Sequence, residues 1–142
     1  MPVKSFRELD VWQVAMDLAL TVYSLAEKLP ANERYEMASQ MRRAALSVPS
    51  NIAEGSGSRM GGRYRYHVRI SLGSVSELVT CIELGRRLGY WDAGAVSGIN
   101  DQLTRTAQLL NGVLRSIKRE KVAKGATAGT AALLIVVCLL KL

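Results

Sequence analysis

The sequence predicts an all-α protein, a single antiparallel up-down-up-down four-helix bundle. Three observations lead there. Four segments carry apolar residues at the 3-4 spacing of a helix; Pro30, Gly55 and Gly89 stand where three of them stop; and no run alternates as a strand does. A length of 142 residues suffices to bury a core, and 49% apolar with 22% charged residues is the composition of a globular chain.

The first helix is the most regular. Val11, Ala15, Leu18, Val22, Leu25 and Leu29 follow a 4-3-4-3-4 seam, and Trp12, Met16, Ala19, Tyr23 and Ala26 form a second seam beside it. Two adjacent seams predict a helix covered over a wide arc, deep in the core or against another subunit. Trp12, Met16, Ala19 and Tyr23 are therefore the expected subunit interface, and Pro30 ends the helix. The second helix is expected to open near Asn32 or Glu33, with Met37, Met41, Ala44 or Ala45, Val48 and Ile52 inward, and to run into Gly55.

Inside that second helix lies an unusual stretch, Ser47-Val48-Pro49-Ser50-Asn51-Ile52-Ala53-Glu54-Gly55. An interior proline removes one backbone hydrogen bond, so the helix is expected to kink or restart there. Pro49, Ser50, Asn51 and Glu54, with Ser74 and Glu77 further on, read as a structural motif. Their side chains are placed to satisfy carbonyls freed by Pro49, and small Gly73 and Ser74 permit close helix approach. A structural role is favoured over a binding one.

Residues 55–62, rich in glycine and serine, read as a flexible loop. The third helix is expected from about Arg63, with Val68, Leu72, Val75, Val79 and Ile82 inward and Gly89 as its C′ stop. Asp92 is placed to cap a fourth helix carrying Val96, Ile99, Leu103, Leu110, Val113 and Ile117. The bundle domain is thus expected over residues 1–119, with 120–142 an apolar extension. In that extension the uncharged run from Gly125 to Leu140 would span roughly 24 Å as a helix at about 1.5 Å per residue. A bilayer core is about 30 Å thick, so a membrane tether is not favoured over a helix packed on a partner.

Charge points to function. The net charge is +7, but residues 1–33 hold three basic and five acidic side chains. Residues 34–69 hold Arg34, Arg42, Arg43, Arg59, Arg63, Arg65 and Arg69 against only Glu36 and Glu54. Arg42, Arg43, Arg59, Arg63, Arg65 and Arg69, interleaved with Tyr64 and Tyr66, are the candidate nucleic-acid-binding residues, because guanidinium grips phosphate and tyrosine stacks on bases. The bland alternative is a solvated helix face with internal ion pairs such as Arg43 with Glu36. Catalytic constellations are sparse: His67 is the only histidine, Glu77 and Glu83 do not share a helix face, and no phosphate-binding glycine motif occurs. His67 itself reads as a surface or phosphate-contacting residue. No metal, cofactor or enzymatic activity is expected. Cys81 and Cys138 read as core thiols in a reducing, cytoplasmic setting, since no secretory leader precedes them.

Five stretches in order carry a family resemblance: Ser5-Phe6-Arg7-Glu8-Leu9-Asp10-Val11-Trp12-Gln13, Gln40-Met41-Arg42-Arg43-Ala44-Ala45, Val48-Pro49-Ser50-Asn51-Ile52-Ala53-Glu54-Gly55, Leu72-Gly73-Ser74-Val75-Ser76-Glu77-Leu78, and Arg87-Leu88-Gly89-Tyr90. Over roughly residues 4–119 the chain resembles the bacterial four helix bundle protein family, also called the 23S ribosomal RNA intervening-sequence or S23-like family. The resemblance implies a bundle assembled into a homopentameric ring. More distantly it is similar to the accessory variability protein of diversity-generating retroelements, a basic pentamer that binds a reverse transcriptase and nucleic acid. The expected function is a non-enzymatic oligomeric scaffold binding RNA or DNA through its arginine face. The alternatives are an adaptor ring for a protein such as a reverse transcriptase, and a ring tethered to a membrane by its tail.

Overall fold

The computed structural model describes residues 5–57 and 61–139. Within them lie four α-helices and no strand: α1 Asp10–Glu27, α2 Met37–Gly57, α3 Gly61–Arg87 and α4 Ala93–Leu139. Packing runs α1–α2, α2–α3, α3–α4 and back to α1–α4 around a core that includes Leu18, Val22, Met41, Val48, Ile52, Leu78, Ile82 and Leu110. The described residues form the expected four-helix bundle.

Local chemistry sets the ends. Ahead of α1, the Ser5 hydroxyl accepts from the Arg7 amide in a 3-10 turn, Phe6–Glu8, and Phe6 meets Trp12 edge-on at 5.3 Å. α1 stops three residues before Pro30, and a second 3-10 turn, Ala31–Glu33, fills the space where α2 was expected to begin. At the end of α3, Gly89 has φ +79°, the Tyr90 amide donates to the Gly85 carbonyl and the Gly89 amide to that of Arg86. This paired closure needs a left-handed residue, which glycine adopts freely. Asp92 caps α4 as expected, its Oδ1 accepting from the Ala95 amide at 2.7 Å. Both interhelical loops at this end are tied together, because the Tyr90 hydroxyl donates to Glu33 Oε1 at 2.7 Å.

Several expectations are overturned. Of the kink or restart expected at Pro49, the restart does not occur, because α2 runs continuously through the buried proline and two residues past Gly55. Gly55 is a packing residue: a Cβ there would lie 2.8 Å from Tyr64 Cδ2 and 2.9 Å from His67 Cβ. Gly73, expected at a close approach, faces open space. Val79, expected inward, is 47% exposed, and Leu78 takes the core position. The second seam of α1 is split: Ala19 and Ala26 belong to the protein's own core, Trp12 packs half-buried against it, Met16 is half-buried, and only Tyr23 opens to solvent. Of the four residues expected at a subunit interface, Ala19 is thus covered by the protein's own core, while Trp12, Met16 and Tyr23 keep exposed surface.

α4 is far longer than its neighbours. Its 47 residues extend about 70 Å at about 1.5 Å per residue. Leu114 still packs on the core, but the side chains from Lys118 to Ala123 are exposed, so the helix runs on beyond the bundle without a break at residue 119. Among the described residues no helix is long and apolar enough to cross a membrane.

Candidate nucleic-acid interface

The α2–α3 seam is polar along most of its length, and it fixes where the arginines stand. At one end Arg43 donates to Gln40 Oε1, and Gln40 Nε2 donates to Glu77 Oε1. In the middle the Ser74 hydroxyl donates to Ser47 Oγ at 2.8 Å, and the Ser71 hydroxyl to the Val48 carbonyl at 2.9 Å. Asn51 Nδ2 donates to the Ser47 carbonyl at 2.9 Å and to Ser47 Oγ at 3.2 Å. With its amide nitrogen so engaged, Asn51 offers only Oδ1 to His67, so His67 Nδ1 carries the hydrogen and donates at 2.9 Å. At the far end Glu54 Oε1 lies 3.7 Å from His67 Nε2 and 3.9 Å from Arg63 Nη2.

As residue numbers rise on α2, their partners fall on α3, which is the antiparallel pairing. Polar groups buried in this way fix helix register, since a slipped pairing leaves them unsatisfied. Of the residues read as a structural motif, Asn51, Glu54, Ser74 and Glu77 take part in this seam, but its bonds to the backbone of α2 reach the carbonyls of Ser47 and Val48 and not that of Ala45, the one Pro49 leaves without its helical donor. Ser50 is exposed and outside the network. His67 is the residue most misplaced by sequence reasoning. It is 7% exposed inside the seam and not on the cationic surface. Its neighbours Arg65 and Arg69 are two residues away on either side, which on a helix is the opposite face.

The antiparallel pairing also separates the arginines. Arg42 and Arg43 lie at the Glu77 end, Arg63 and Arg65 at the Glu54 end, and Arg69 between them, level with the Asn51–His67 and Val48–Ser71 bonds. Eleven residues of α2 separate Arg43 from Glu54, about 16 Å at about 1.5 Å per residue. Arg59 lies outside the described residues. Arg43 bonds Gln40 and not Glu36, Arg42 stands 5.9 Å over the Tyr23 ring, and Arg63 faces Glu54. Arg65 and Arg69 are exposed and have no ion pair among the described residues. They flank Tyr66, which is 62% exposed. Tyr64, by contrast, turns inward against Gly55, and burial raises its hydroxyl pKa.

Two further groups bear on chemistry. Burial and the adjacent Glu77 carboxylate push the Cys81 thiol up, so it remains a protonated core group at neutral pH. On the opposite side of α2, Tyr23, Arg34, Tyr35, Ser39, Arg42, Arg43 and Leu46 line an open groove of about 330 Å³. Sequence reasoning missed Arg34 and Tyr35 there, because both sit in the turn before α2, where no periodic pattern marks them.

The described residues thus form an all-helical four-helix bundle with a polar α2–α3 seam and exposed arginines on α3. The chain belongs to the 23S rRNA-intervening sequence protein family, whose model matches residues 7–112. Its fold is similar to that of a crystal structure from Bacteroides thetaiotaomicron, a protein of unknown function from the S23 ribosomal protein family. The two share 24% identity with a TM-score of 0.68, covering 73% of this chain and 97% of that one. No curated protein matches the chain.

Proposed function

We propose that the protein is a non-enzymatic scaffold that binds nucleic acid through the outer face of α3 near its start. One observation carries this reading. Arg65 and Arg69 stand one turn apart, exposed and without an acidic partner among the described residues, on either side of exposed Tyr66. Two uncompensated guanidinium groups beside an exposed ring suit a phosphate backbone with accessible bases. Arg63, shared with Glu54, extends the face, and the net charge of +7 attracts a polyanion from a distance. The name of the family, which links its members to intervening sequences of 23S rRNA, supports RNA as the ligand.

A homo-oligomer, most simply a pentameric ring, repeats this face around a circumference. Leu20 at 67%, Leu84 at 48% and Leu88 at 52% exposure support association, because the monomer leaves them uncovered. The same residues favour a second reading, an adaptor ring for a protein partner such as a reverse transcriptase.

Fluorescence anisotropy with labelled single-stranded RNA separates the two. Nucleic-acid binding predicts a loss of about tenfold or more for Arg65→Ala/Arg69→Ala, with helicity and oligomer mass unchanged. A parent protein that fails to bind RNA at low salt leaves the adaptor reading.

A further inference from the structure

We propose that the α1–α2 groove is a second nucleic-acid site, one that holds an unpaired base of a single strand on Tyr35 and its flanking phosphates on Arg34, Arg42 and Arg43. The inference rests on the nucleic-acid reading and adds a location and a strand preference that the α3 face does not provide.

The lining of the groove carries it. Three arginines and two tyrosines converge with Ser39 and Leu46, and no acidic residue lines the groove. The Arg34 guanidinium lies 5.9 Å from the Tyr35 ring and that of Arg42 lies 5.9 Å from the Tyr23 ring, so each cation is held beside an aromatic face. Neither Arg34 nor Arg42 has an ion pair among the described residues. Of the carboxylates around it, Glu77 accepts from Gln40 and Glu33 from Tyr90; Glu27 shares an adjoining groove with Arg34 and Arg42, and Glu36 follows Tyr35, but neither has an ion pair among the described residues.

Tyr35 is 83% exposed, the most exposed large apolar side chain among the described residues. It supports no core packing, and its ring face is available to a flat partner. Guanidinium groups recognise phosphate, and an open tyrosine face recognises a base by stacking. Duplex bases are already stacked on one another and cannot use such a platform, so the ligand is single-stranded. An acidic peptide would meet the charges but would leave the ring without a stacking partner.

The test compares parent, Tyr35→Ala, Tyr35→Phe and Arg34→Ala/Arg42→Ala by anisotropy, using a labelled single-stranded RNA and a hairpin duplex of the same length. Tyr35→Ala weakens single-strand binding about tenfold and leaves the duplex unchanged, while Tyr35→Phe keeps the ring and the affinity. Arg34→Ala/Arg42→Ala weakens binding and flattens its salt dependence. Tyr35→Ala that binds single strands as tightly as the parent overturns this site and leaves the α3 face standing. A parent that binds no RNA overturns both. Poly-glutamate that displaces the RNA as well as an unlabelled strand of equal charge overturns the stacking site and makes the groove a surface for acidic protein.

Discussion

Gly85 and Gly73 occupy the same helix, and the structure assigns opposite signs to the same substitution at the two positions. Gly85 is buried beneath Trp91, and a Cβ there would lie 2.3 Å from Cζ2, 2.7 Å from Cη2 and 2.9 Å from Cε2. The indole cannot easily retreat, because it is 7% exposed and its Nε1 donates to the Ile82 carbonyl at 2.9 Å. Overpacking a close-packed core costs about 1–3 kcal/mol, and alanine recovers about 1 kcal/mol of helix propensity over glycine. With three ring atoms inside 3 Å the upper half of that cost applies, so Gly85→Ala loses about 1–2 kcal/mol net and Tm falls by about 3–8 °C. At Gly73 nothing lies within 4 Å of a Cβ, so only the propensity term acts. Gly73→Ala gains up to about 1 kcal/mol and raises Tm by about 4 °C. Thermal melts followed by circular dichroism, with tryptophan fluorescence reporting on the indole, measure both. If Gly85→Ala melts at or above Gly73→Ala, the packing described for this end of the bundle is wrong.

Asn51→Ala strands the His67 Nδ1–H and removes two bonds to Ser47, so it costs about 1–3 kcal/mol; an unchanged urea midpoint contradicts the seam. Glu83 bonds both Arg86 and Arg87, which hold its carboxyl at about 2 against an ordinary 4.5. A lowered carboxylate pKa stabilises above the ordinary value and is lost as pH falls toward the native one. Parent and Glu83→Gln should therefore differ in Tm at pH 7 and converge by about pH 2; a constant gap refutes the ion pair. Truncation after Arg119 leaves the Tm unchanged, because the side chains beyond Ile117 that are described are exposed; a marked fall would show that the extension packs on the bundle. Leu84→Asp should reduce the mass seen by light scattering if that side chain lies between subunits, and an unchanged oligomer moves the interface elsewhere.

What the sequence disclosed was mostly what periodicity and punctuation encode. The apolar stripes of α1 and α4, the stop near Pro30, the left-handed Gly89 and the Asp92 cap depend on neighbours within a turn or two, and each reads correctly. What failed depends on the partner helix. A restart at Pro49 does not occur, and the continuous helix is bonded laterally through Val48 to Ser71 and Asn51 to His67, which local rules do not reveal. Gly55 looks like a loop residue, yet it is opposed by Tyr64, whereas Gly73 looks like a packing residue and faces solvent. The arginines are close in sequence, but the antiparallel pairing of α2 and α3 spreads them along the hairpin, with Arg43 about 16 Å from the Glu54 end. His67 shows the same effect at a single residue, because the arginines beside it in sequence leave by the other face. Arg34 counted in the sequence only toward the arginine excess and Tyr35 not at all, because the groove they line with Tyr23 exists only once α1 and α2 are packed.

Whether guanidinium groups on α3 neutralise phosphates is decided by a salt titration of RNA affinity. For single strands the logarithm of the association constant falls against the logarithm of salt with a slope near −0.7 per phosphate contacted. Removing Arg65 and Arg69 together should make the slope shallower by about 1.4 and lower the affinity most at low salt. If the parent and Arg65→Ala/Arg69→Ala give superimposable lines, those residues touch no phosphate and the α3 face is an ordinary solvated surface.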